Sequence, residues 1–145
     1  MNWKEYEKQL FEEVESVYPD ARVLYDCKLP GRYSQVSRQC DVLVEEEVGK
    51  KTFRTLYDAK HHDRKIDVKQ VEEFVGLLND TGCDCGALIA PKGFTKAAYN
   101  LAYYGPHNLD LDILSFGDLK LFHGIGAMPY AGDMALFLSM NQALV

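Results

Sequence analysis

Residues 39–60, QCDVLVEEEVGKKTFRTLYDAK, decide how the chain reads. Residues 39–47 and 52–60 have the β-branched and apolar content of strands, and VGKK between them has the length of a hairpin loop. Antiparallel pairing about that loop sets Glu47 opposite Thr52, Glu45 opposite Arg54, Leu43 opposite Leu56 and Asp41 opposite Asp58. The Glu45–Arg54 pair favours this register, and the facing carboxylates oppose it by a similar amount. Side chains alternate along a strand, so Lys60 shares a face with Asp58. One end of the hairpin therefore gathers Asp41, Asp58 and Lys60.

Two facing carboxylates repel unless something positive lies between them. A divalent cation does this, and hard ions such as Mg²⁺ favour carboxylate oxygens. Taken alone, a D…D-x-K pattern is more often a solvated sheet edge. Two features move the reading away from that. Val42-Leu43-Val44 follows Asp41 and Leu56-Tyr57 precedes Asp58, so both strands look covered on both faces and the carboxylates lie near the core. Glu7 falls between Phe11 and Val14 on the apolar stripe of a helix over residues 3–18, with Trp3 and Leu10 on the same side. A carboxylate there faces the sheet.

Further elements follow outward from the hairpin. Residues 21–28 read as a strand closed by Pro30-Gly31, and residues 67–80 as an amphipathic helix with Asp67 as its N-cap. Residues 86–90 read as a short buried strand, 94–104 as a helix and 109–115 as a last strand. The order is α-β-β-β-α-β-α-β, an α/β fold with a mixed sheet flanked by helices. Residues 1–145 read as one domain, with a core over about 3–115 and a C-terminal extension over 116–145. The apolar tail from Gly132 to Val145 carries one charge, Asp133, and is expected to pack on the sheet or form a two-fold dimer interface.

Composition narrows the class. With 47% hydrophobic residues and 12% aromatics the chain is not disordered, and no apolar run reaches the roughly 20 residues of a membrane span. The first residues are charged throughout and lack the apolar core of a signal peptide, so a cytoplasmic protein is expected. Four cysteines without a C-x-x-C pair read as inert thiols in a reducing compartment. The net charge of −6 hides an asymmetry: residues 28–69 carry 10 basic and 7 acidic side chains, whereas both flanks are acidic. Only the middle of the chain suits phosphates.

The stretches RQCDVLV, LYDAK, DVKQVEEF and GALIAPKGFTKAA, in that order, resemble the Mrr-type restriction endonuclease catalytic domain of the PD-(D/E)xK nuclease superfamily. The resemblance covers about residues 5–115 and implies a restriction-endonuclease-like mixed sheet, the order already read from the pattern. It implies a metal-dependent endonuclease that hydrolyses DNA phosphodiester bonds in restriction or defence, with double-stranded DNA as partner and Mg²⁺, or Mn²⁺ in its place, as cofactor. On this resemblance Asp41 and Asp58 bind the metal with the Ala59 backbone carbonyl, Lys60 orients water or stabilises charge, and Glu7 and Gln70 position water or a second ion. Arg38, Lys65 and Lys69 are candidates for DNA phosphate contacts. The family usually carries Glu, and often Cys, where this chain has Asp58 and Ala59. Residues 1–145 leave no room for a DNA-reading domain beside the core, so target choice is expected from a partner subunit, the tail or loops. His61 and His62 read as solvent-facing. Two other readings stand beside the first: a nuclease-fold module that binds nucleic acid or a protein without cutting, and a nuclease for RNA or branched DNA.

Overall fold

The computed structural model describes residues 2–60, 63–107, 109–115 and 117. Helix α1 (Trp3–Val17) starts at a capping box, in which the Asn2 side chain accepts the Glu5 N–H and Glu5 reaches back to the Asn2 N–H. It ends beside Pro19, which cannot continue it. Three strands follow, β1 (Arg22–Pro30), β2 (Ser37–Val48) and β3 (Lys51–Ala59). Helix α2 (Val68–Thr81) has the expected Asp67 cap and stops at Gly82, whose left-handed φ of 72° suits a residue without Cβ. Strand β4 (Cys85–Ile89), helix α3 (Lys96–Tyr104) and strand β5 (Asp110–Leu114) complete the order.

The sheet runs β1-β2-β3-β4-β5. β1 and β3 flank β2 antiparallel, and β3, β4 and β5 run parallel. This is the mixed α/β sheet that the sequence pattern predicts. The connections β3–α2–β4 and β4–α3–β5 are crossovers, which parallel neighbours require. Helix α1 buries Tyr6, Leu10 and Val14 on one face of the sheet, against Val42, Tyr57 and Ile89. On the other face α2 and α3 bury Phe74, Leu78, Ala98 and Ala102 against Leu43, Leu56 and Leu88. Each Val, Leu, Ile or Phe among these contributes roughly 1.5–3 kcal/mol relative to exposure. With both faces covered, all five residues of β4 are buried, as its uninterrupted apolar run implies.

The hairpin register is the expected one, from Glu47↔Thr52 through Leu43↔Leu56 to Val42↔Tyr57, and Arg54 Nε meets Glu45 Oε2 at 2.9 Å. The loop is shorter than VGKK. Val48 pairs with Lys51, and Gly49 and Lys50 alone make the turn, with Gly49 at φ 64°. A glycine with positive φ at the first of two turn positions matches the twist of the strands on either side. β1 also extends past residue 28, to Pro30 opposite Ser37. Proline is tolerated there because β1 is an edge strand.

No helix among the described residues is long and apolar enough to cross a membrane. Burial pushes the Cys40 and Cys85 thiols up to about 12, consistent with the inert role read for them. His61, His62 and the expected packing or dimerisation of the C-terminal tail fall outside the described residues.

Candidate metal and phosphate site

At the end of the hairpin away from its turn, the regular β2–β3 ladder stops at Val42↔Tyr57. One residue further, Asp41 Oδ2 accepts the Ala59 backbone N–H at 2.8 Å. The cause is visible in β1 and β2. Asp26, opposite Asp41 in the register set by Tyr25↔Val42 and Cys27↔Cys40, takes φ 51°. On either side of this point Leu24 and Cys27 pack against the same cluster, as do Leu43 and Cys40. The two-residue alternation is therefore broken in both strands at Asp26 and Asp41, which leaves the Asp41 carboxylate within reach of β3.

Asp41 and Asp58 come together there, on the wall of one cavity and close enough for each to act on the other's charge. Asp58 is 8% exposed, and Lys60 Nζ lies 3.1 Å from its Oδ2. Burial first, and the Asp58 charge second, push the Asp41 carboxyl up to about 8, against the pull of the Ala59 N–H. Two buried carboxyls this close resist ionising together, which adds to the upward push on Asp41. Glu7 is half-buried on α1. Its carboxyl is raised by loss of solvent, lowered by Lys4 and raised by Asp26 and Asp58. It thus stands within electrostatic reach of the pair, although Tyr6 occupies the fully buried position beside it.

A cavity of about 380 Å³ opens over the pair, walled by Arg38, Gln39, Asp41, Asp58, Lys60 and Glu73. Phe74 and Leu77 of α2 give it an apolar side. Arg38 is held by Asp80, with Nη1 2.6 Å from Oδ2. Gln70 is turned to the helix start, where its Oε1 accepts the Asp67 N–H at 3.1 Å. The wall position on α2 goes instead to Glu73, one helical turn later. Lys65 and Lys69 are exposed and outside the cavity wall.

Sequence reasoning missed Glu73, Gln39 and Asp26. Glu73 had a signal, since it follows Gln70 by three residues and precedes Phe74 of the buried stripe. Gln39 opens the quoted hairpin, and its side chain bonds to Asp26 and to the Cys27 carbonyl. Asp26 could be placed only once the β1–β2 register was known.

Among the described residues no group of three or more His, Cys, Asp and Glu side chains is arranged to hold a metal ion. A pair of carboxylates is nonetheless a fitting donor set for Mg²⁺. That ion keeps several waters and is commonly held by one or two carboxylates together with substrate phosphate. The buried mutual repulsion of Asp41 and Asp58 is the feature that a cation would relieve.

The chain is similar in fold to a protein of unknown function, AF1548, with a TM-score of 0.61 at 13% identity over 94% of this chain. It is similar to the DNA modification-dependent restriction endonuclease AspBHI, with a TM-score of 0.55 at 17% identity over 97% of this chain. It is also similar to the MspJI restriction endonuclease in complex with a 27-mer oligonucleotide, with a TM-score of 0.51 at 18% identity over 94% of this chain. The chain spans 65% of the first of these, 36% of AspBHI and 31% of MspJI. No curated protein sequence matches it. The restriction endonuclease family profile of the Mrr catalytic domain matches residues 32–113, more than half of the chain and all of the hairpin. With the fold, the paired aspartates and that match together, the chain belongs to the Mrr-type restriction endonuclease catalytic domain family.

Proposed function

We propose that this domain is a metal-dependent endonuclease that hydrolyses DNA phosphodiester bonds in restriction or defence. The observation that carries the reading is the buried Asp41–Asp58 pair with Lys60 3.1 Å from Asp58, open to a cavity. Asp41 and Asp58 would hold Mg²⁺ or Mn²⁺, with the Ala59 carbonyl as a third protein ligand. When bound, the ion supplies charge neutralisation for the phosphate and acidifies water. Lys60 stabilises the negative charge that grows on the phosphoryl oxygens, from a position fixed by Asp58. Glu7 and Gln70 would position water or a second ion, Gln70 on leaving the helix cap. Arg38, Lys65 and Lys69 contact backbone phosphates, and Asp80 orients Arg38 for this. The oligonucleotide in the MspJI complex supports DNA as the partner. The 132–145 tail is the candidate dimer interface, which would bring two such sites to two strands, and a partner subunit would supply target choice.

Supercoiled plasmid incubated with Mg²⁺, Mn²⁺ or EDTA tests the proposal, beside Lys60→Ala. Nicked or linear product is expected only with metal and only with Lys60 present. Cutting in EDTA, or equal cutting by Lys60→Ala, removes this mechanism. Binding without cutting in any metal leaves a silent nuclease-fold module, and cutting confined to RNA or branched DNA changes the substrate.

A further inference from the structure

The loop between β1 and β2 takes no part in the chemistry above, yet the C-terminal end of α2 braces it throughout. Asp80 Oδ1 accepts the Tyr33 and Ser34 N–H groups at 2.9 and 3.0 Å. Its Oδ2 accepts the Ser34 hydroxyl and Arg38 Nη1, each at 2.6 Å. The Arg32 N–H donates to the Asp80 carbonyl at 2.8 Å, and Arg32 Nε donates to the Asn79 carbonyl at 2.8 Å. Gln35 Nε2 closes the loop on the Arg32 carbonyl at 2.8 Å. Gly31 sits where a Cβ would collide with Ser34 and Asp80, so the loop lies flat on its anchor. All of these bonds except that of Gln35 tie the loop and the start of β2 to the end of α2.

Outward, the loop presents a large aromatic ring. Tyr33 is 71% exposed and Val36 58% exposed. The Arg32 guanidinium lies 4.8 Å from the Tyr33 ring centroid. One face of the ring is therefore backed by a cation that Asn79 fixes, and much of the ring remains open to solvent. An exposed tyrosine alone is ordinary. One whose backbone N–H is held by Asp80 and whose ring has a cation behind it has already met part of the ordering cost of stacking on a ligand. The charge is also specific: residues 28–38 carry Lys28, Arg32 and Arg38 and no acid, in a chain of net charge −6. β2 runs from this loop to the cavity. From Ser37 to Asp41 is roughly 13 Å along the strand, the length of about four nucleotides of one DNA strand.

We infer that Arg32 and Tyr33 form a base-stacking platform that makes this site prefer DNA exposing a base face, such as an overhang or frayed end, over closed duplex. The inference rests on reading the cavity as a DNA-cleaving site, and it gives that site a substrate class. The stacked base sits on Tyr33, and the strand it belongs to follows β2 past Arg38 to the cavity. An aromatic platform accepts any base, so the preference is for structure and not for sequence.

Fluorescence anisotropy of the full chain in EDTA tests this, with two labelled duplexes of equal nucleotide count, one blunt and one with a single-stranded overhang. The wild type is expected to favour the overhang by about tenfold, the scale of one stacked base. Tyr33→Ala is expected to bind both alike and to melt as the wild type does, because the ring is exposed. Tyr33→Trp is expected to restore the preference, which a merely structural tyrosine would not require. Arg32→Ala is expected to weaken both complexes and lower the salt dependence by about one ion. Equal affinity of the wild type for the two duplexes, an unchanged preference in Tyr33→Ala, or no binding to DNA at all overturns the platform; the last points instead to a protein on this loop. Plasmid cleavage separates the two readings. A Tyr33-dependent preference without metal-dependent cutting keeps the platform and removes the endonuclease. Cutting without that preference does the reverse.

Discussion

Asp41 Oδ2 accepts the Ala59 backbone N–H at 2.8 Å, so the carboxylate proposed to bind the metal also continues the β2–β3 pairing beyond its last regular pair. The same group is a structural acceptor and half of a repelling pair. Replacements that keep the acceptor and those that remove it should therefore behave differently.

The metal-free protein should lose stability as pH rises from about 4 to about 8. Burial and the Asp58 charge push the Asp41 carboxyl up to about 8 in the folded chain, from the ordinary aspartate value of about 4. The folded state keeps a proton that the unfolded chain has released, and stability falls with pH wherever that holds. Melting curves in EDTA at about pH 5 and pH 8 should show a drop of a few degrees for the wild type. Asp41→Asn should flatten it, because Asn accepts the Ala59 N–H and carries no charge. A wild-type curve that is flat, or rises over this range, contradicts the buried-pair assignment.

Asp80 predicts the opposite behaviour at acid pH. The Ser34 hydroxyl and N–H, the Tyr33 N–H and Arg38 hold its carboxyl well below the usual carboxylate range. A carboxyl lowered on folding adds stability that is present above the unfolded value and lost as pH falls through the folded one. Asp80→Ala should therefore lower Tm at neutral pH and make the chain between residues 31 and 36 a site of limited proteolysis. An unchanged digestion pattern would show that the loop is held by other means.

Asp41→Ala, Asp58→Ala and Lys60→Ala should each abolish metal-dependent cleavage, and any two together should be little worse than one. Groups acting as a unit fail as a unit. Single-turnover rates on plasmid DNA measure this. Rate losses that multiply would mean that the three act independently.

Gly86 lies on β4 beneath α2, where an added Cβ would come 2.8 Å from Leu78 Cδ2 and 2.9 Å from Phe74 Cζ. Gly86→Ala should cost about 1–3 kcal/mol by overpacking. The same strain bears on Phe74, which walls the cavity, so kcat should fall as well. Urea denaturation together with plasmid cleavage checks both. Unchanged stability would mean that the core yields freely there.

The fold was legible because both periodicities are strong. Tyr6, Leu10 and Val14 recur at four-residue steps, and the apolar run of 86–90 allows little but a buried strand. The Glu45–Arg54 pair favours the hairpin register that brings Asp41 to Asp58, and the structure has that pair at 2.9 Å. What strict alternation could not supply was the break at Asp26 and Asp41, since a positive φ at an aspartate in a strand has no sequence signature. VGKK reads as a four-residue loop because Val48 and Lys51 are unremarkable as loop residues, and only Gly49 marks the two-residue solution. The resemblance gives Gln70 a role in positioning water or a second ion, but its spacing from Asp67 is also that of a capping box, and the helix start takes it. Glu73, one turn on, then occupies the wall.

The central claim is that Asp41 and Asp58 form a metal site, and metal-dependent melting of three proteins tests it most directly. Wild type, Asp41→Asn and Asp58→Asn are compared in EDTA and in Mg²⁺ at about pH 8. A ligand that binds only the folded state stabilises it by RT ln(1 + [L]/Kd). Wild type should gain Tm with Mg²⁺, and both Asn variants should be neutral or raised in EDTA and lose most of that gain. A clear loss of stability in EDTA for both variants, with no effect of Mg²⁺ on the wild type, would show these carboxylates to be structural.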